Sequence, residues 1–331
     1  MTFQIFVTAP RLAPAGLALL QQQGCRVHFL DDANSSAEVL ARMAATPFDA
    51  VISRTVDLPA AAIAACPSLR VISKHGVGVS NIAVDAATLQ GIPVYVTPGA
   101  NAASVAELTI GLMLAAARRI VRLDGELRAG RWTRAQDGLQ LAGRRLGLLG
   151  FGQVGQRVAR VAQALGMQVH VFDPALQGPS PVTGVQLHGA LAPLLALSDV
   201  LSLHVPLNAA TRGLIDGAAL DQLPPGALLV NTARGEVVDE AALIARLADG
   251  RLAGAGLDTM ANEPLPAGHA LAQLPTVVLT PHVGGSTAAA LDAMAEGAVR
   301  NVLGYLQGQP PDVRSCVNPQ VLSSLALSFP A

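Results

Sequence analysis

A chain of 331 residues is long enough for about two domains, each with its own core. A hydrophobic fraction of 51% with 3% aromatics describes cores packed with Ala, Leu and Val, and a net charge of −1 offers no basic surface for nucleic acid. Cys25, Cys66 and Cys316 form no C-x-x-C pair or disulfide framework, and no apolar run reaches the about 18 residues of a membrane span, so a reducing, cytoplasmic setting is expected.

The N-terminus lacks a basic region and reads as a first strand, Gln4 to Thr8, rather than a signal peptide. A helical segment follows up to Gln23, then a strand at Arg26 to Phe29, a helix including Ala37 to Ala45, and a strand at Ala50 to Ser53. A short Ala-rich helix ends before Cys66-Pro67 and leads to strands at Arg70 to Ser73 and Pro93 to Val96. Alternation of this kind predicts a parallel sheet with helices on both faces.

After Thr97-Pro98-Gly99, a plausible hinge, Val105, Leu108, Leu112 and Ala116 recur at helical spacing, predicting a long helix from Ser104 to Arg119. A polar, Arg-rich stretch from Arg118 to Gln140 carries Trp132, the one tryptophan. The strand–helix alternation returns from Leu146 to about His282, with strands at Val200 to His204, Ala227 to Asn231, Gly254 to Asp258 and Val277 to Thr280. That is enough for a six-stranded nucleotide-binding sheet. Ser286 is placed to cap a final helix to about Gln307, which returns the chain to its first domain. The expected division is therefore residues 1–100 with 286–331, and an inserted domain at 101–285.

The inserted domain opens on its most informative stretch. The strand Leu146 to Leu149 runs into Gly150-Phe151-Gly152-Gln153-Val154-Gly155, then a helix with Val154, Val158, Val161, Ala162 and Leu165 on one face. A second strand, Val169 to Phe172, ends in Asp173. This is the context a dinucleotide-binding G-x-G-x-x-G requires. Gly150 permits the tight turn, Gly152 lets backbone approach a pyrophosphate, and Gly155 lets helix and strand pack closely. The helix N-terminus suits phosphate. Asp173 would accept from both ribose hydroxyls and repel a 2′-phosphate, which favours NAD over NADP.

The reaction must be sought at the C-terminal ends of the strands, where open parallel sheets bind ligands. Three such ends carry Asn231-Thr232-Ala233-Arg234-Gly235, Asp258 with Glu263 shortly after, and Thr280-Pro281-His282-Val283-Gly284-Gly285. An arginine fork can hold a planar carboxylate with two parallel hydrogen bonds, and a histidine can exchange the hydroxyl proton near neutral pH. Glu263 beside His282 would favour the imidazolium form. Alternatively, Arg234 could pair with Asp239 or Glu240. His204, before Val205-Pro206, is placed to touch cofactor or to serve structure. Arg54 and Lys74, the one lysine, could meet a phosphate on the substrate. No His/Cys/Asp/Glu cluster has zinc spacing, so no metal is implied.

These residues resemble those of the D-2-hydroxyacid dehydrogenases, most of all the catalytic body of its phosphoglycerate dehydrogenase members. The resemblance runs through Lys74-His75-Gly76-Val77-Gly78-Val79-Ser80-Asn81, Thr97-Pro98-Gly99-Ala100-Asn101, Ala106-Glu107-Leu108-Thr109, the glycine turn, Asn231 to Gly235, Glu263-Pro264 and Pro281 to Gly285. It implies an α/β architecture of two doubly wound parallel-sheet domains, a Rossmann cofactor domain inserted into a flavodoxin-like substrate domain, closing over a cleft. It implies Arg234, Glu263 and His282 as catalytic residues. Cofactor contacts are implied at Val77, Gly150, Gly152, Gln153, Val154, Gly155, Asp173, Val205, Thr232, Ala233, Asp258, Gly284 and Gly285. Substrate contacts are implied at Arg54, Lys74, Val77, Gly78, Arg234 and His282.

The family's activity, NAD-dependent oxidation or reduction of a small D-2-hydroxy or 2-oxo acid, is the expectation, with a homodimer joined through the cofactor domain and no nucleic-acid or membrane partner. The substrates in view are 3-phosphoglycerate and smaller acids such as glyoxylate, hydroxypyruvate or D-lactate. An NADH-sensing binding protein on the same fold would keep the same residues. Ser80 stands where the family commonly has aspartate, and Lys74-His75 replaces an Arg-Ala pair, so departures gather on the substrate side.

Overall fold

The computed structural model of the chain describes residues 2–32, 35–309 and 312–325. It divides into two compact units, Met1–Asn101 with Thr287–Ala331, and Ala102–Ser286. In the first unit, strands β1 (Gln4–Val7), β2 (Arg26–Phe29), β3 (Ala50–Ser53), β4 (Val71–Lys74) and β5 (Val94–Tyr95) form one parallel sheet in the order β2-β1-β3-β4-β5. This is the flavodoxin-like strand order. Successive side chains go to opposite faces. Ile5, Val7, Ile52 and Val71 join a core layer with Ala298, Val299 and Val302, while Phe6, Val51 and Ile72 join a layer with Met43 and Phe48. Because both faces are covered, β3 is buried along its whole length and reads as a continuous apolar run closed by Ser53.

The residues Ala298, Val299 and Val302 belong to the helix Ala288–Leu306, whose cap is Thr287 rather than the expected Ser286. Thr287 has the extended backbone of a cap (φ −101, ψ 152), and its side chain accepts the Ala290 N–H at 3.2 Å. Adjacent hydroxyls are chemically equivalent caps, and backbone geometry selects between them.

The second unit adds β6 (Arg145–Leu149), β7 (Gln168–Phe172), β8 (Val185–Leu187), β9 (Val200–Leu203), β10 (Ala227–Asn231), β11 (Leu252–Leu257) and β12 (Val277–Leu279). Its sheet has seven strands, not the expected six, in the order β12-β11-β10-β9-β6-β7-β8, all parallel. The additional strand is the edge strand β8. The order reverses between β6 and β9, the switch point where doubly wound sheets bind ligands. Helix Ala102–Ala117 lies on β11 so closely that a Cβ at Gly256 would be 2.9 Å from Leu112 Cβ, which explains the Gly-Ala-Gly in that strand. The Arg-rich stretch 118–140 contains a further helix, Ile120–Arg128, with no buried residue. Among the described residues no helix is long and apolar enough to cross a membrane.

Candidate active site

The glycine turn leaves β6 at the switch point. Gly150 has φ +94, and a Cβ there would sit 2.7 Å from both the carbonyl carbon and oxygen of His204, the residue after β9. Only glycine combines that dihedral with that approach. Gly152 forms the N-cap of helix Gln153–Ala164, no side chain caps it, and a Cβ there would meet nothing within 4 Å. A Cβ at Gly155 would lie 2.6 Å from Gly150 O, so its absence brings the helix against the turn. An uncapped helix N-terminus facing open space through a side-chain-free residue fits a pyrophosphate.

Asp173 follows β7. Its Oδ2 accepts the Phe151 N–H at 2.7 Å and its Oδ1 accepts the Ala175 N–H at 2.9 Å, which ties it to the glycine turn while each oxygen keeps acceptor capacity for a ribose hydroxyl. Gln153 carries a side-chain Oε1 bonded to Arg157 Nη1 at 2.8 Å, and Val154 is half-buried on the same helix. The imidazole of His204 bonds Ser202 Oγ at 2.9 Å, and desolvation pushes it down to about 4, so it stays neutral.

Glu263 and His282 meet directly: His282 Nδ1 lies 2.7 Å from Glu263 Oε2, while Glu263 Oε1 accepts the Met260 N–H at 3.0 Å. Burial alone would push the Glu263 carboxyl up; the hydrogen bonds from His282 and Met260, then the charges of His282 and Arg234, outweigh it and hold it below the usual range. With Nδ1 engaged, Nε2 is the ring atom left to exchange a proton. His282 is exposed and adopts φ +54, a left-handed conformation uncommon for a non-glycine residue.

That conformation is enforced from below by Asp258, which is 1% exposed. Its Oδ1 accepts from Thr280 Oγ1 (2.6 Å) and the Val283 N–H (2.9 Å), its Oδ2 accepts the Gly284 N–H (2.9 Å), and its carbonyl accepts the His282 N–H (2.8 Å). The other side of the loop is held by Ser104 Oγ, which donates to Gly284 O at 2.6 Å. The structure thus spends the Asp258 carboxylate on the loop that carries His282, and Gly285 follows half-buried. Ser104 was not foreseen as part of the site.

Arg234 follows β10 by three residues, and Asn231 shapes its turn: Asn231 Oδ1 accepts the Ala233 N–H and Asn231 Nδ2 donates to Arg234 O, both at 2.9 Å. Arg234 pairs with no carboxylate among the described residues; Glu240, one of its suggested partners, lies 3.3 Å from His269 instead, and Asp239 caps a helix. Its guanidinium is left with one donor on Ala233 O at 2.6 Å. Thr232 bonds Thr109 at 2.8 Å, and Val205 and Ala233 are buried.

The remaining expected residues lie in the first unit. Val77 is exposed and Gly78 half-buried, after Gly76 at φ +129. Lys74 is the last residue of β4 and is buried; its ammonium donates to Arg54 O and to Asn81 Oδ1. Arg54 is half-buried directly after β3, beside His75. Neither His75 nor Asn81 was foreseen as a partner of these cations.

Residues 110–284 match the family model of the D-isomer specific 2-hydroxyacid dehydrogenase NAD binding domain. The chain is 38% identical to a D-3-phosphoglycerate dehydrogenase of Mycobacterium bovis over 317 residues, 93% of this chain but only 58% of that relative's length. It is 37% identical to a glyoxylate reductase of Thermofilum pendens over 328 residues, 96% of this chain and 95% of the relative. A solved NADPH-dependent glyoxylate/hydroxypyruvate reductase of Sinorhizobium meliloti, in complex with NADP and malonate, superposes with a TM-score of 0.82 at 31% identity, covering 96% of this chain and 98% of that one.

Proposed function

Because this chain belongs to the D-isomer specific 2-hydroxyacid dehydrogenase family, with an NAD binding domain as its second unit, we propose that it catalyses hydride transfer between NAD and a small D-2-hydroxy or 2-oxo acid. The observation that carries the reading is the Glu263–His282 pair at 2.7 Å, on the same unit as an Arg234 without a carboxylate partner and a side-chain-free helix N-terminus. Bound NAD supplies or accepts the hydride. Gly150, Gly152 and Gly155 would shape its seat, the N-terminus of helix Gln153–Ala164 would hold its pyrophosphate, and Asp173 would take its adenosine ribose.

The chain's own chemistry is binding and proton transfer. Arg234 holds the substrate carboxylate with two parallel hydrogen bonds, which fixes the reacting carbon. In the reductive direction His282 Nε2 gives its proton to the oxygen of the carbonyl as its carbon gains hydride; in oxidation the same nitrogen takes the hydroxyl proton. Glu263, held ionised, stabilises the imidazolium and orients the ring through Nδ1. Asp258 and Ser104 keep the His282 loop in place.

Arg54, backed by Lys74, is the proposed contact for a second acidic group on the substrate, which favours 3-phosphoglycerate over acids with a neutral tail; glyoxylate or hydroxypyruvate is the competing choice. A homodimer through the second unit fits the exposed Ile120, Val121, Leu127 and Trp132, and light scattering measures it. The experiment is steady-state turnover of NADH with a panel of 2-oxo acids. His282→Ala and Glu263→Gln are expected to lower kcat by roughly 100- to 10,000-fold with NADH affinity retained. Tight NADH binding without turnover of any acid would replace the enzyme reading with that of a nucleotide-sensing protein.

A further inference from the structure

We propose that Glu240 is a positioning residue for the proton-transfer pair: through the Ala261 N–H its carboxylate fixes the Met260–Ala261 peptide, and that stretch sets which oxygen of Glu263 faces His282. The reaction the pair serves rests on the hydride-transfer reading above. The linkage itself rests on contacts within the second unit.

Glu240 begins the helix Glu240–Ala248, whose cap is Asp239. An acidic residue in a first turn is ordinarily accounted for by the helix dipole, with its carboxylate left in solvent. This one turns inward. Its side chain is 16% exposed, Oε2 accepts the Ala261 N–H at 3.0 Å across 21 positions of chain, and its other oxygen, Oε1, lies 3.3 Å from His269 Nε2. His269 is oriented by its own role as a helix cap. Its Nδ1 accepts the Leu271 N–H at 3.3 Å, so the hydrogen of the neutral ring sits on Nε2, the nitrogen beside Glu240.

The peptide held by Glu240 is confined on a second side. Gly235, directly after Arg234, packs against it so closely that a Cβ there would lie 1.9 Å from the Met260 carbonyl carbon and 2.3 Å from Ala261 N. One short segment therefore carries Arg234 and Gly235 at one end and Glu240 at the other, and it grips the Met260–Ala261 peptide from both. The Met260 N–H in turn donates to Glu263 Oε1 at 3.0 Å, which leaves Oε2 for His282 Nδ1 at 2.7 Å. The terminal torsion of a glutamate is broad, and packing around a side chain 34% exposed does not select it; the Met260 N–H does. Without the hold on Ala261 the donor that orients Glu263 would shift, and the pair would lose its alignment before each turnover.

The test separates reach from charge. Glu240→Asp keeps a carboxylate at the helix start but is one methylene too short for the Ala261 N–H, whereas Glu240→Gln loses the charge and keeps an acceptor at full reach. With NADH and either hydroxypyruvate or glyoxylate, Glu240→Asp is expected to lower kcat about 10-fold, the lower end of a hydrogen bond to a charged group, with a much smaller change in KM for NADH. Glu240→Gln should retain most of kcat. In a Glu263→Gln background Glu240→Asp should add nothing. The reverse order of the two variants, the pattern of a helix-dipole role, would overturn the assignment, and so would additive losses. Ring-nitrogen NMR of neutral His282 supplies a readout independent of turnover. Because Glu263 only accepts, wild type and Glu240→Gln should hold the ring hydrogen on Nδ1, and Glu240→Asp should show a mixture of tautomers. One unchanged tautomer in all three proteins overturns the linkage. Wild-type protein inert toward both acids would instead overturn the hydride-transfer reading, and the ring spectra would then decide the role of Glu240 alone.

Discussion

Alanine substitutions at the second and third glycines of the turn should separate cofactor affinity from stability. Gly152 has φ −71 and ψ −160, which any residue adopts, and a Cβ there meets nothing within 4 Å, so Gly152→Ala needs no rearrangement of the protein. Weaker capping by alanine costs a few tenths of a kcal/mol, and a stiffer unfolded chain offsets it by about 0.4–1 kcal/mol. The net stability change is therefore within about 1 kcal/mol. The same methyl occupies the space through which a pyrophosphate approaches, and overpacking of this kind costs about 1–3 kcal/mol, or roughly 5- to 150-fold in the Kd for NADH. Gly155→Ala inverts the pattern: its Cβ would lie 2.6 Å from Gly150 O, short of ordinary contact by about 0.8 Å, and the helix must move off the turn. That variant should lose about 1–3 kcal/mol of stability, a fall in Tm of several degrees for a unit of this size. Thermal melts and NADH fluorescence titrations give both quantities. An unchanged Kd for Gly152→Ala, or a large fall in its Tm, would refute the assignment of that open space to the cofactor.

Removing the Asp173 carboxylate should relax cofactor choice: Asp173→Ala is expected to reduce the ratio of kcat/KM for NADH over NADPH at least 10-fold, and wild-type protein that works better with NADPH would contradict the role given to that carboxylate. Acid stability reports on the buried His75. Its folded value of about 4 lies below an unfolded value of about 6.5, so its contribution is complete above pH 6.5 and is lost as pH falls toward 4. Each pH unit in that window costs about 1.4 kcal/mol, to a total of about 3 kcal/mol. Urea denaturation across the window should show a shallower pH slope for His75→Ala than for wild type, and identical slopes would remove the buried neutral histidine.

Local pattern carried most of the fold because both sheets are parallel and covered on both faces, which writes each strand as a short apolar run between helices. It failed where burial is absent. The edge strand β8 has three residues, two of them exposed, and helix Ile120–Arg128 buries none, so neither leaves a periodic signal. The pairing of Glu263 with His282 was legible because each follows the C-terminal end of a strand, and strand ends in such sheets converge. The supports around them were not. Asp258 reaches Val283 and Gly284 across 25 and 26 positions, Ser104 reaches Gly284 across 180, and His75 reaches Leu291 across 216. Such pairings are set by tertiary register, which single-sequence spacing does not encode. Nor did the sequence distinguish a lysine aimed at ligand from one that holds a neighbouring carbonyl, as Lys74 does.

The placement of helix Ala288–Leu306 has a consequence for the order in which the molecule is made. The unit Ala102–Ser286 is one uninterrupted stretch, so all of its strands have left the ribosome before the first unit is complete. The sheet of the first unit, synthesised before that stretch, needs Ala295, Ala298, Val299 and Val302 to complete the cover of one of its faces, and these arrive only after it. Ile5, Val7 and Ile52, with Leu12 and Leu20 of the preceding segment on that layer, therefore wait with a partly uncovered apolar surface through the synthesis of the entire nucleotide-binding unit. Nascent chains halted before residue 288 should present that surface to chaperones, and folding of the first unit is gated by translation of the second.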